Sequence, residues 1–261
     1  MTVDVSALRL ALGYLLLLIP FGILLWMRVP ILGRTALAVV RMTVQLLFVG
    51  FYLEVVFDFN SFWLTSLWLA IMIGVADTSI LKGCRLKARR FAGWIALALL
   101  AGTLVPMLYF VGLILQQSYL LEARYAIPIG GMILGNCLRA DIIGISRFYQ
   151  GIRDREREFL HALAQGARLR EATRPFFREA LDAALVPTVA TMTTIGLVSL
   201  PGMMTGVILG GGDPMKAIKY QIAIMIAIFT GTAITVTIGI LLTLYSSFDS
   251  YGILDKDIFA D

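Results

Sequence analysis

Apolar residues fall into long continuous runs at 8–27, 36–57, 63–81, 91–115 and 126–145. After a charged stretch at 147–182, two more follow at 186–210 and 217–245. A helix rises about 1.5 Å per residue, so each run is long enough to cross a hydrocarbon core of ~30 Å. The runs are continuous rather than alternating with period two, which favours helices over barrel strands. The pattern predicts an all-α polytopic membrane protein of about seven transmembrane helices. It is read as one transmembrane domain over 1–261, with a helical cytoplasmic region at 146–185 between the fifth and sixth spans. Pro20 kinks the first span.

The polar gaps set the orientation. Arg28 and Arg34 follow the first span, and Lys82, Arg85, Lys87, Arg89 and Arg90 follow the third. Lys and Arg mark cytoplasmic loops. The turn at 58–60, with Asn60, and the nearly neutral loop at 116–125 then lie outside. The N-terminus is expected outside and the C-terminus inside. The acidic tail (Asp249, Asp255, Asp257, Asp261) weighs little in that rule. The first run lacks a basic start and a small-residue cleavage site, so it is expected to stay as an anchor.

Composition agrees: 59% of residues are hydrophobic, 15% are charged, and mean hydropathy is +0.86. The net charge of +5 does not imply nucleic acid, because the basic residues flank spans. Two cysteines, Cys84 and Cys137, make no disulfide framework. With one histidine, His161, and no GxxxxGK[ST], HExxH or CxxC, the chain carries no enzyme constellation.

The charged stretch carries Arg147, Arg153, Arg155, Arg157, Arg168, Arg170, Arg174 and Arg178. Asp154, Glu156, Glu158, Glu171, Glu179 and Asp182 offset most of that charge. It predicts a short amphipathic helix over 155–165, with Phe159, Leu160 and Leu163 on its apolar side and Gly166 as its stop. Thr173 is expected to cap a second helix with Pro175 in its first turn.

Polar residues inside spans are the remaining candidates. Arg41 and Gln45 share a helix face, either snorkelling or contacting another helix or the transport path. Asp77 is expected to pair with Lys82 or Arg85, with a ligand role as the alternative. Gly131 and Gly135 form a small-xxx-small packing face, and Asn136 near mid-membrane needs a partner. Cys137 and Asp141 share a face, which alone defines no metal site. The run at 186–210 is rich in hydroxyls, with Thr188, Thr191, Thr193, Thr194, Ser199 and Thr205. Pro201, Gly202 and Gly206 break or thin it, while Met203 and Met204 add thioethers, as transport lining or as packing. Gly210 to Pro214 is a loop, with Pro214 in the first turn of the last helix.

Ala162-Leu-Ala-Gln-Gly166-Ala167, a basic helix and Leu185-Val-Pro187 resemble the EAA-type coupling loop of ABC-transporter permeases, with Leu160 where Glu is expected. Several further segments recur in a second resemblance. They are Arg41-Met-Thr-Val-Gln45, Ile127 to Met132 with Gly135-Asn136, Ala184 to Thr188, Gly196 to Met204, Thr205-Gly206, and Asp213-Pro214 with Ala217 to Gln221. Together they resemble the FetB/YbbM family of bacterial permeases, associated with iron export and including plant aluminium-tolerance permeases. Where that pattern carries charged residues between Thr188 and Gly196, this chain has only apolar and hydroxyl residues. The plant branch has also been linked to a nucleotide sugar.

The resemblance implies a non-enzymatic permease subunit of an ATP-driven exporter of iron or another metal in the bacterial inner membrane. It implies a second copy of the chain and a separate ATP-binding subunit carrying ATP and Mg, with no cofactor in this chain. Coupling to that ATPase would fall to Glu158, His161, Ala162, Ala164, Gly166 and Ala167. The pathway would use Arg41, Gln45, Asn136, Thr194, Ser199, Pro201, Gly202, Met203 and Met204, and helix packing would use Gly131, Gly135 and Gly206. A secondary transporter or channel without an ATPase, or a permease for another cargo, is the alternative.

Overall fold

The computed structural model describes residues 6–59, 61–117, 119–249 and 252–259. Asn60 and Asp261, which entered the topology reading, lie outside them. The described residues are almost all helical. Helices α1 (Ala7–Tyr14) and α2 (Leu18–Trp26) form one span, joined by a 3-10 turn at Leu15–Leu17. Pro20 has no N–H for Leu16 O, and the helix tightens there. The long helices α3 (Leu32–Phe59), α4 (Phe62–Cys84), α5 (Ala88–Tyr109) and α6 (Ala123–Asp154) follow. Then come α7 (Glu156–Ala164), α8 (Leu169–Thr194), α9 (Gly202–Leu209) and α10 (Pro214–Ser247).

Six helices among the described residues are long and apolar enough to cross a membrane, against seven expected: Leu8–Trp26, Leu32–Phe59, Phe62–Cys84, Ala88–Ile114, Ala123–Asp154 and Pro214–Ser247. The run at 186–210 is not one helix. It is divided between the end of α8, a turn, and α9. This broken segment still carries the chain from the α7 end of the bundle to the Pro214 end. Helix α10 runs antiparallel to α5, with Gly102 against Gly231 and Ala98 against Gly239.

The core is built by α4, α5, α6, α8 and α10. Its tightest crossing is backbone on backbone. Pro106 removes the N–H that would bond Gly102 O, and that carbonyl faces Gly231. A Cβ on Gly231 would sit 2.5 Å from Gly102 O and 2.8 Å from Ile133 Cγ2. At Gly144, α6 meets Val236 of α10 and Ala184 of α8. A Cβ on Gly131 would meet Met72 at 3.1 Å, but one on Gly135 or Gly206 would meet no described atom of another element within 4 Å. Within one copy, those two are therefore not the packing positions the sequence pointed to.

The charged stretch is also simpler than expected. α6 and α8 run on through most of it, leaving α7 between two short turns. α8 opens at Leu169, not after Thr173: Glu171 accepts the Arg168 backbone N–H at 2.8 Å, an N-cap contact that wins over the threonine. Thr173 lies inside the helix and donates to Leu169 O, while α8 continues through Pro175 and Pro187. The C-terminal segment closes this end. Tyr149 bonds Ser247 at 2.6 Å, Phe248 packs on Phe159, and the Lys87 N–H donates to Ile258 O. The Arg90 guanidinium, 2.5 Å from Asp255, holds that carboxyl below the usual carboxylate range.

Gly231→Ala should lower the thermal stability of the purified protein in detergent. Overpacking of this kind costs about 1–3 kcal/mol, because a methyl group here meets a backbone carbonyl. Gly135→Ala should leave the Tm unchanged. Equal melting of the two variants would refute the glycine crossing as a tight contact.

Candidate functional site

α8 cannot continue past Thr194. Ile195 turns extended, Gly196 takes φ +86, and its N–H bonds Ser199 O at 2.9 Å. That left-handed backbone is open to Gly at little cost. Pro201 then biases Leu200 away from helix, and α9 starts at Gly202 with Pro201 as its N-cap. The result is a helix, a seven-residue turn at 195–201 and a second helix within an apolar stretch. Irregular backbone at membrane depth is tolerated where it packs in protein or lines a cavity.

Here it lines a cavity of about 650 Å³ between α6, α8 and α10. Five residues singled out in the sequence meet there: Asn136, Ser199, Pro201, Gly202 and Met203. Thr188 and Thr191 of α8 join them. Met204 instead lines an adjoining apolar cavity of about 440 Å³, which shares Pro201 and Gln221 with the first. Thr194 lines neither, and its hydroxyl donates to Ala190 O in its own helix. Arg41 and Gln45 are not brought to the site. They sit on α3, uncovered by the rest of the chain.

Asn136 bonds within its own helix, its Nδ2 donating to Met132 O at 2.8 Å, rather than tying two helices together. Asp141 turns away from the cavity and accepts from Thr235 Oγ1 of α10 at 2.8 Å. Asp77 is buried with Oδ1 unpartnered and forms no ion pair with Lys82 or Arg85. Its helix carries it into the core, while Arg85 follows the left-handed turn at the helix end. Among the described residues, no group of three His, Cys, Asp or Glu side chains is arranged to hold a metal.

Two cavity residues were not assigned from the sequence. Arg139 lies on α6 one turn beyond Asn136, and Gln221 lies on α10. The i, i+3 spacing of Asn136 and Arg139 puts them on one face, a signal available in the sequence. Nothing local marks Gln221, since it reaches the cavity only through the packing of α10 on α8 and α9.

At the α7 end, the apolar side forms as predicted: Phe159 is buried, with Leu160 and Leu163 half-buried. Phe159 packs on Phe176 of α8, and Arg155 lies over the same ring while bonding Glu179 at 2.7 Å. Glu158, His161, Ala164 and Gly166 remain exposed, with Ala162 and Ala167 half-buried beside them. Gly166 has φ +88 and ends the helix as expected.

Residues 7–248 match the model of the family described as "Uncharacterised protein family (UPF0014)". The chain is 35% identical over 227 residues to the UPF0014 membrane protein slr1647 of Synechocystis sp., covering 87% of each. It is 33% identical over 211 residues to the "Probable iron export permease protein FetB" of Escherichia coli, covering 80% of each. To "Protein ALUMINUM SENSITIVE 3" of Arabidopsis thaliana it is 35% identical, covering 74% of this chain and 69% of that one. No solved structure matches. An all-helical membrane chain with this broken α8–α9 segment, matched along nearly its whole length, belongs to the UPF0014 membrane-protein family.

Proposed function

We propose that the chain is the permease subunit of an ATP-driven exporter of the ABC type. Two copies pair, and each docks a separate ATP-binding subunit through α7. The exposed face with Glu158, His161, Ala164 and Gly166 makes that contact, flanked by Ala162 and Ala167. ATP and Mg reside on the partner. The α7 end is cytoplasmic, and the chain crosses the bacterial inner membrane seven times, once through α8–α9. The cargo is iron or another metal, in keeping with the name of the Escherichia coli relative.

The observation that carries this reading is the continuity of α8. Its 26 residues, about 39 Å, run unbroken from the α7 contact at Phe176 to Thr188 and Thr191 in the cavity. A push on α7 therefore moves the cavity wall as a lever, and the turn at 195–201 absorbs the motion. The cavity then alternates its access between the two sides. Pairing of two copies is supported by α1, α2 and most of α3, which the rest of the chain leaves uncovered, Arg41 and Gln45 included. Buried carboxyls at Asp77 and Asp141 favour a second reading, a proton-driven transporter without an ATPase.

Gly166→Leu separates the two. Forcing a bulky side chain to φ +88 costs about 1–3 kcal/mol locally and distorts the docking surface. Membrane insertion should persist, while ATPase copurification and transport should fall together. Unchanged transport would overturn the ABC reading. For the hinge, Gly196→Leu should leave the protein in the membrane and abolish transport, measured as metal accumulation in a deletion strain. Full transport would mean the turn is ordinary packing. A single cysteine at Gln165 should label only from the cytoplasm, and labelling from outside would invert the topology.

A further inference from the structure

We propose that the cavity between α6, α8 and α10 binds an oxyanion that also carries a hydroxyl or N–H donor, so that a metal crosses there as an anionic complex and not as a bare cation. This rests on the cavity being the cargo path.

The charge is one-sided. Arg139 lines the cavity eight residues before Arg147, about 12 Å of helix, and pairs with no carboxylate among the described residues. Among the described residues, no Asp, Glu, His or Cys lines the cavity. A guanidinium presents a fork of donors suited to carboxylate or phosphate, and inside a membrane an unpaired one is costly. A bare divalent cation meets repulsion from Arg139, and its only soft donors are the neutral thioethers of Met132, Met203 and Met225.

The opposite wall asks for a donor. Gln221 is 7% exposed, and its Oε1 has no hydrogen-bond partner in the protein. A buried acceptor left unmatched is unfavourable. Oε1 is itself covered in this conformation, and rotation of the amide turns it to the cavity, where a hydroxyl or N–H on the bound molecule satisfies it. Ser199 and Thr188 add hydroxyls to the lining. The volume of about 650 Å³ suits a small organic molecule and far exceeds a metal ion. Arg139 thus selects the anionic group, and Gln221 selects the donor on the same molecule.

The full-length protein in phosphatidylcholine nanodiscs would be titrated calorimetrically with citrate, glycerol 3-phosphate, sulfate, ferric citrate and ferrous iron. At least one hydroxylated oxyanion should bind. Arg139→Gln should weaken it by about tenfold or more, the loss of one charge-assisted contact, and Arg139→Lys should weaken it less. Gln221→Leu should weaken the hydroxylated ligands more than sulfate, which carries no donor. The idea fails if no oxyanion binds, or if ferrous iron alone binds the wild type and Arg139→Gln equally. It fails too if phosphatidylglycerol in the nanodisc abolishes binding of every soluble oxyanion, since Arg139 is then a lipid-headgroup site. Binding requires no ATPase, so these results are independent of the ATPase copurification that tests the exporter reading.

Discussion

The bundle depends on the approach of two backbones. At Gly102 and Gly231 neither residue puts a side chain between α5 and α10, and the carbonyl freed by Pro106 lies against the facing helix. In a bilayer no hydrophobic force pulls helices together, because lipid tails are as apolar as leucine. Association then relies on close packing, and small residues allow it. The consequences spread outward. α10, held against α5, is also within reach of α6, where Thr235 meets Asp141 and Val236 meets Gly144. α8 docks on that same junction through Ala184. The position of the cavity wall thus descends from one glycine pair.

With the core fixed in this way, the break at 195–201 is a joint at which α8 can yield relative to α10. The turn is held by short-range backbone bonds alone, Gly196 to Ser199 and Leu197 and Val198 back to Thr194, and by Pro201, which excludes helix before it. Leu197 and Val198 at its tip are 91% and 81% exposed, so the rest of the chain does not clamp it. A segment with few buried contacts opens at low free energy. Rigid helices on both sides and a loosely held joint between them are what a lever needs.

Much of this was legible in the chain. The apolar runs located the long helices because the bilayer leaves helices few alternatives. Gly166, Pro214 and the apolar stripe of α7 were readable because each acts through local backbone chemistry. The start of α8 was misread at Thr173, since two local signals competed and Glu171 satisfied the earlier one. Asp77 was misassigned because sequence proximity to Lys82 and Arg85 does not say which way a helix faces. Gly135 and Gly231 are chemically identical in the sequence, and only tertiary packing separates the one in open space from the one in contact.

The site divides along the same line. Asn136, Ser199, Pro201, Gly202 and Met203 were found because polar groups and helix breakers stand out in an oily run, and they do converge. Thr194 stood out equally but bonds its own helix, as a threonine in an apolar helix often does. Arg139 lies inside the predicted fifth span, one turn beyond Asn136 on the same face, yet was given no role there. After Gln221, α10 is apolar on every face for two turns, so no stripe marks that residue's direction. Its meaning comes from burial without a partner, which is a property of the assembled fold. A residue's role in this cavity is therefore set by which face its helix turns inward, and that choice is made at the glycine crossing, far from the residue itself.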